Sequence, residues 1–301
     1  MSDTRPINMI NDAHCHFFSS SFLERLAPDG GGADALARRL GWDAPGDAAA
    51  LADRWVRELD EHGVSRAALI ASVPGDEASV AAAVARHPSR FVGFFMVNPT
   101  QPDASQVLSR AFGDLKPRTA CLFPAMHGYR SDDERVGMVF EAASRNGGAV
   151  FVHCGVLTIG VRAKLGLPSR FDFRLGDPLG VAKVASAWPQ VPVIIPHFGA
   201  GFLREALMAA AQCASIHLDT SSSNGWTRFH PGLSLNDVFR QALSVAGASR
   251  LLFGTDSSFF PRGWQRAIFD AQRQILEMLG VKDAERAQIL GGNFDRLFPR
   301  I

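Results

Sequence analysis

Short apolar runs rich in β-branched and aromatic residues recur at 9–17, 64–71, 91–98, 119–125, 149–155, 191–199, 215–221 and 251–257. Each is short enough for a strand, and most are too continuously apolar to keep one face in water, which predicts a parallel sheet covered on both sides. The intervening stretches 76–87, 103–112, 132–146, 178–187, 202–213, 235–246 and 263–279 read as amphipathic helices. Asp132, Asp133 and Glu134 favour a helix start, Ser234 is placed as an N-cap, and Asn146-Gly147-Gly148 supplies a stop. Eight such alternations over about 250 residues predict an α/β protein of the (β/α)8 TIM-barrel type. No Gly-x-Gly-x-x-Gly follows an early strand, which disfavours an open doubly wound sheet.

The stretch 18–63, between the first two strands, carries candidate helices at 23–26, 33–40 and 48–62 and a flexible turn at Gly30-Gly31-Gly32. At roughly 45 residues it is too small to hold a core of its own. The chain is therefore expected to be one domain, 1–301, with a helical insertion after the first strand, placed to cap the barrel mouth.

Hydrophobic residues make up 47% of the 301 positions and charged residues 20%, enough apolar material for a packed core and too much for disorder. Thirty-one Lys and Arg against 30 Asp and Glu leave a formal charge of +1, no field for holding a polyphosphate, so nucleic acid is not an expected partner. Cys15, Cys121, Cys154 and Cys213 are too sparse for a disulfide framework. The N-terminal stretch lacks an apolar segment of signal-peptide length, and no segment approaches the roughly 20 apolar residues of a membrane span. The expected location is the cytoplasm, with no membrane partner.

The chemistry concentrates at strand ends. In Asp12-Ala13-His14-Cys15-His16 strand alternation puts Asp12, His14 and His16 on one face and Ala13 and Cys15 on the other. His153 closes one apolar run, His197 closes another, and Asp256 follows a third. A polar side chain at the end of a buried strand costs several kcal/mol if unpaired. Together these placements call for a common partner, and neutral imidazoles with a carboxylate suit a divalent cation, Zn first, with Mn, Co or Fe as alternatives. By the same alternation Cys15 and Cys154 face the helices as packing residues.

The set Asp12-x-His14-x-His16, His153, His197 and Asp256 resembles the amidohydrolase superfamily. The closer likeness is to the amidohydrolase-related branch that includes aminocarboxymuconate semialdehyde decarboxylase and γ-resorcylate decarboxylase. The likeness runs from Asn11-Asp12-Ala13-His14 through Pro196-His197-Phe198-Gly199 and Leu252-Phe253-Gly254-Thr255-Asp256 to Gly291-Gly292-Asn293-Phe294. The resemblance implies a distorted (β/α)8 barrel with one divalent metal held by His14, His16, His153 and Asp256. His197 would stand beside it as a proton-handling group or further ligand, and His197 and Asp256 would be the catalytic pair. Relatives with two metals often bridge them by a carboxylated lysine on strand four. Here that strand reads Thr119-Ala120-Cys121-Leu122, which implies a mononuclear site. A homodimer is a further implication of the family.

Beyond the ligands, His127 and Tyr129 follow strand four, and Trp226 and Arg228 lie in the loop after strand seven; all four are candidates for binding substrate. Arg162, Lys164, Arg170 and Arg174 stand in the loop after strand five, where guanidinium groups can clamp a carboxylate. His217 and Asp219, sharing a face of strand seven, are candidates to support the ligands.

Two reactions use such a site: hydrolysis of an amide, ester or lactone of a small carboxylated or aromatic molecule, and nonoxidative decarboxylation of an aromatic or muconate-type acid. Decarboxylases of the resembling branch commonly place an arginine eleven residues after the strand-six histidine. Here that position is Met208, with Arg204 nearest, which puts hydrolysis first. A noncatalytic metal-binding barrel is the remaining alternative, and retention of every expected ligand argues against it.

Overall fold

The computed structural model of the chain describes residues 9–27, 31–221 and 224–300. Among them, nine strands form one parallel sheet: β1 (Ile10–Phe17), β2 (Val64–Ala71), β3 (Phe91–Met96), β4 (Thr119–Leu122), β5 (Ala149–Val152), β6 (Val193–Ile195), β7 (Ile216–Asp219), β8 (Leu251–Leu252) and β9 (Ser257–Ser258). Their order is β8-β7-β6-β5-β4-β3-β2-β1-β9. The last two are the ends of one run: β8 pairs with β7, β9 pairs with β1, and between them the Ala13 N–H donates to the Phe253 carbonyl at 2.8 Å. The sheet thus closes into the expected TIM barrel, with the eighth strand position broken at residues 253–256.

Alternation sorts the strands into two apolar layers. On β2, Ala68 and Ile70 face the lumen with Phe94, Phe151 and Leu252, while Ala67, Leu69 and Ala71 join the larger layer beneath the helices. The C-terminal helix Asn293–Leu297 seals the lumen beside the start of β2: Phe294 and Phe298 enter the inner cluster, and buried Arg66 holds Asp295 Oδ1 at 2.6 Å and the Phe298 carbonyl at 2.7 Å. Cys15 and Cys154 lie in the outer layer, as alternation requires.

Helices Pro178–Ala187 and Leu235–Ala246 form over the expected residues, the second opened by a capping box between Ser234 and Asp237. The helix expected from 132 starts only at Val136, because the Asp132 and Asp133 carboxylates are drawn into turns by Arg130 and Arg135. The insertion forms helices Ser20–Leu26, Gly32–Leu40 and Ala48–Glu61. Gly30 of the expected glycine turn lies outside the described residues, and Gly32 already opens the second of these helices. No helix among the described residues is long and apolar enough to cross a membrane.

His217 is buried on the lumen side of β7, level with Ile194; its Nδ1–H donates to the Ser215 carbonyl at 3.0 Å and its Nε2 has no partner among the described residues. Burial pushes its pKa down to about 4. In the unfolded chain His217 takes up a proton near pH 6.5 that the folded chain refuses until about pH 4, so stability falls as pH drops through that window. His217→Gln is expected to shrink the stability difference between pH 7 and pH 4.5 by about 2–3 kcal/mol, read from urea unfolding at both pH values. An unchanged difference would contradict the assignment.

Candidate metal centre

The first strand departs from simple alternation. Asp12 stands opposite Ala67 and Cys15 opposite Leu69, so β1 carries one extra residue in a bulge. The expectation that Asp12 shares a face with His14 and His16 therefore fails. Ala13 turns to the lumen instead, and the Asp12 carboxylate accepts from the His14 backbone N–H (2.9 Å), the Thr255 N–H (3.1 Å), the Thr255 hydroxyl and the Trp264 indole N–H (2.8 Å). Burial outweighs these bonds and raises the Asp12 pKa to about 6. Its work is structural: it ties the β1 bulge to the broken eighth strand.

At the C-terminal ends of the strands four imidazoles and a carboxylate converge. Ring centroids of His14 and His16 are 5.1 Å apart, of His14 and His197 4.9 Å, and of His153 and His197 5.4 Å. His14, His197 and Asp256 each place a donor atom within 4.8 Å of the other two. Asp256 Oδ1 lies 3.0 Å from His16 Nε2 and 3.5 Å from His14 Nε2. His197 and Asp256 hold left-handed backbone, with φ of 55° and 57°. Such conformations cost about 1–3 kcal/mol each and persist where the surroundings over-determine them.

The hydrogen bonds behind the rings assign their tautomers. The His14 Nδ1–H donates to Asp219 Oδ2 at 2.6 Å. Ser72 gives its hydroxyl proton to the Ile70 carbonyl (3.1 Å), so its Oγ accepts the His16 Nδ1–H at 2.8 Å. Both rings thereby turn Nε2 to Asp256, the arrangement that orients metal-binding histidines. Burial lowers the pKa of His16, His153 and His197, which keeps those rings neutral, whereas at His14 burial is outweighed by Asp219 and Asp256, which raise the pKa until a cation displaces the extra proton. Burial works against the Asp256 carboxylate, yet His16, His14 and His197 together hold its pKa well below the usual range. The buried His153 Nδ1 has no hydrogen-bond partner among the described residues, an unmet requirement that a bound cation relieves. Neutral imidazoles and an ionised carboxylate fit a divalent ion of borderline softness.

The cluster forms the floor of a cavity of about 640 Å³. Phe18, Phe22, Leu26 and Trp42 of the insertion wall one side. Trp226 and Arg228 line the cavity, joined by Arg162, Lys164 and Arg262. His127 and Tyr129 do not line it. The chain after β4 makes a short helical turn, Pro124–His127, ended by left-handed Gly128; this brings Met126 to the cavity and packs Tyr129 into the outer apolar layer. The His127 ring stacks on Tyr129 at 6.4 Å, and burial lowers its pKa to about 4. Arg170 and Arg174 also stand off the cavity, Arg174 being paired with Asp172. Of the strand-seven pair, Asp219 supports a site histidine and His217 does not. Ser72 and Ser221 escaped sequence reasoning; Ser221 lies two residues beyond Asp219, where period-two alternation points to the same face.

A closed parallel barrel with a histidine and aspartate cluster at its mouth defines the class of metal-dependent TIM-barrel enzymes. Within it, the family model described as amidohydrolase matches residues 11–300, and the chain belongs to that family, in the amidohydrolase superfamily. A search of curated protein sequences finds no match. Among solved structures, the chain resembles a TIM-barrel protein from Bordetella bronchiseptica (19% identity, TM-score 0.68, 97% of this chain and 99% of that one). It also resembles 5-carboxyvanillate decarboxylase from Novosphingobium aromaticivorans complexed with manganese and 4-hydroxy-3-methoxy-5-nitrobenzoic acid (13%, TM-score 0.64, 96% of each chain). A third is a probable 2-pyrone-4,6-dicarboxylic acid hydrolase from Acinetobacter baumannii with citric acid bound (16%, TM-score 0.62, 96% and 98%). At these identities the likeness establishes the fold.

Asp219→Ala removes the acceptor that orients His14 and is expected to weaken Zn binding about 10–100-fold in a competition titration, with the far-ultraviolet circular dichroism unchanged. Gly254→Ala should act similarly, since a Cβ there would sit 2.6 Å from Asp219 Oδ1 and 3.0 Å from His14 Cβ. Wild-type affinity in both variants would remove Asp219 from its supporting role.

Proposed function

We propose that the chain is a divalent-metal-dependent hydrolase acting on the amide, ester or lactone carbonyl of a small carboxylated aromatic or conjugated substrate. The observation that carries this reading is the convergence of His14, His16, His153, His197 and Asp256 under a cavity that also holds Arg162, Lys164, Arg228 and Arg262. In it His14, His16, His153 and Asp256 hold the ion, Zn first and Mn next, the latter because manganese occupies the N. aromaticivorans complex. A divalent ion held there polarises a substrate oxygen and lowers the pKa of water toward neutrality.

The protein's own groups supply the rest. The Asp256 carboxylate, kept ionised, takes the proton of the attacking water and returns it to the leaving group. His197 stands where charge develops on the carbonyl oxygen and stabilises it. Arg228 and the other cations orient a substrate carboxylate, while Trp226 and the insertion aromatics stack on its ring and exclude water. The occupant of such a cavity is a small molecule.

Decarboxylation is the second reading, favoured by the fold likeness to 5-carboxyvanillate decarboxylase. Against it, Met208 is exposed at the position where the resembling decarboxylases carry an arginine, and Arg204 is exposed and paired with Glu205. Metal-loaded protein should hydrolyse members of a panel of carboxylated lactones, esters and amides without releasing carbon dioxide from carboxylated phenols. Asp256→Asn should cut that turnover on the order of 10²–10⁴-fold. Carbon dioxide release with no hydrolysis would reverse the order of the two readings.

A further inference from the structure

We propose that Ser221 is a positioning residue that fixes the tautomer of His197, so that His197 presents an Nε2–H donor to the cavity and not a metal-ligating lone pair.

The protons can be followed one at a time. Asp219 Oδ2 lies 2.6 Å from His14 Nδ1, and a carboxylate only accepts, so the His14 Nδ1 proton points at Asp219. Asp219 Oδ1 takes the Ser221 backbone N–H at 2.7 Å, which fixes Ser221 against the same carboxylate. Ser221 Oγ then lies 3.1 Å from His14 Nδ1 and 2.7 Å from His197 Nδ1. The first of these nitrogens already carries a proton and has no lone pair to offer. The Ser221 carbonyl also approaches the His197 ring but makes no hydrogen bond of good geometry with it, so among the described residues the hydroxyl proton of Ser221 has one acceptor left, the Nδ1 lone pair of His197. A neutral imidazole that accepts at Nδ1 carries its proton on Nε2.

Proximity alone places His197 in the ligand cluster; this hydrogen bond takes it out, leaving His14, His16, His153 and Asp256 to hold the ion. A buried N–H fixed in advance is what a developing oxyanion needs. That use of the proton rests on the hydrolase reading, whereas the tautomer itself does not. One carboxylate, Asp219, therefore sets both His14 and, through Ser221, its neighbour on the other side of the site.

The test is long-range 15N–1H spectroscopy of the full chain with 15N-labelled histidine, metal-free and with one equivalent of Zn, His197 being identified by the signals missing from His197→Gln or His197→Asn. The expected result is a bare Nδ1 and a protonated Nε2 on His197 in both states. Ser221→Ala should lose this preference and Ser221→Thr keep it, and His197→Gln should bind Zn as the wild type does. A protonated Nδ1 on His197, or an Nε2 signal that moves to a ligated position when Zn is added, would overturn the proposal, and the wild-type spectra are sufficient to show either. With the tautomer found as expected, failure to hydrolyse any ester, lactone or amide would count against the hydrolase reading alone.

Discussion

The site depends on how each buried imidazole is satisfied from behind. A buried ring has two nitrogens, and leaving either without a partner costs on the order of 1–3 kcal/mol. His14 spends Nδ1 on Asp219 and His16 spends it on Ser72. The Nε2 atoms are thereby forced to the centre, beside a carboxylate that three histidines keep ionised. The convergence is thus the outcome of many local hydrogen bonds, each attached to a different strand.

The barrel supports this arrangement by departing from regularity at two places. The β1 bulge allows Ala13 to fill the lumen while His14 and His16 still reach the mouth, and the break between β8 and β9 turns Asp256 into left-handed backbone. Asp12 joins the two irregularities through Thr255 and Trp264. Arg262 adds a further constraint by donating to the Asp256 carbonyl at 2.7 Å from within the cavity wall. A regular strand pair would offer neither placement, which is why strain collects at these residues.

Much of this is legible in the chain because two periodic signals agree. Apolar runs mark every strand position, and a histidine or aspartate at the end of four of them marks the mouth. What the sequence hides follows from breaks in period two. The extra residue in β1 moves Asp12 off the histidine face, and the turn at Pro124–His127 buries Tyr129 under the helices, where the position after strand four predicts a loop at the mouth. Ser72 and Ser221 are invisible for another reason: a serine that orients a ring looks like any other serine until the ring's position is known.

The most direct test of a shared metal site is anomalous scattering at the metal edge from crystals grown with Zn. One peak per chain is expected, about 2.0–2.2 Å from a nitrogen of His14, His16 and His153 and an oxygen of Asp256. A well-ordered barrel with no peak among these residues, or with the peak elsewhere, would contradict it.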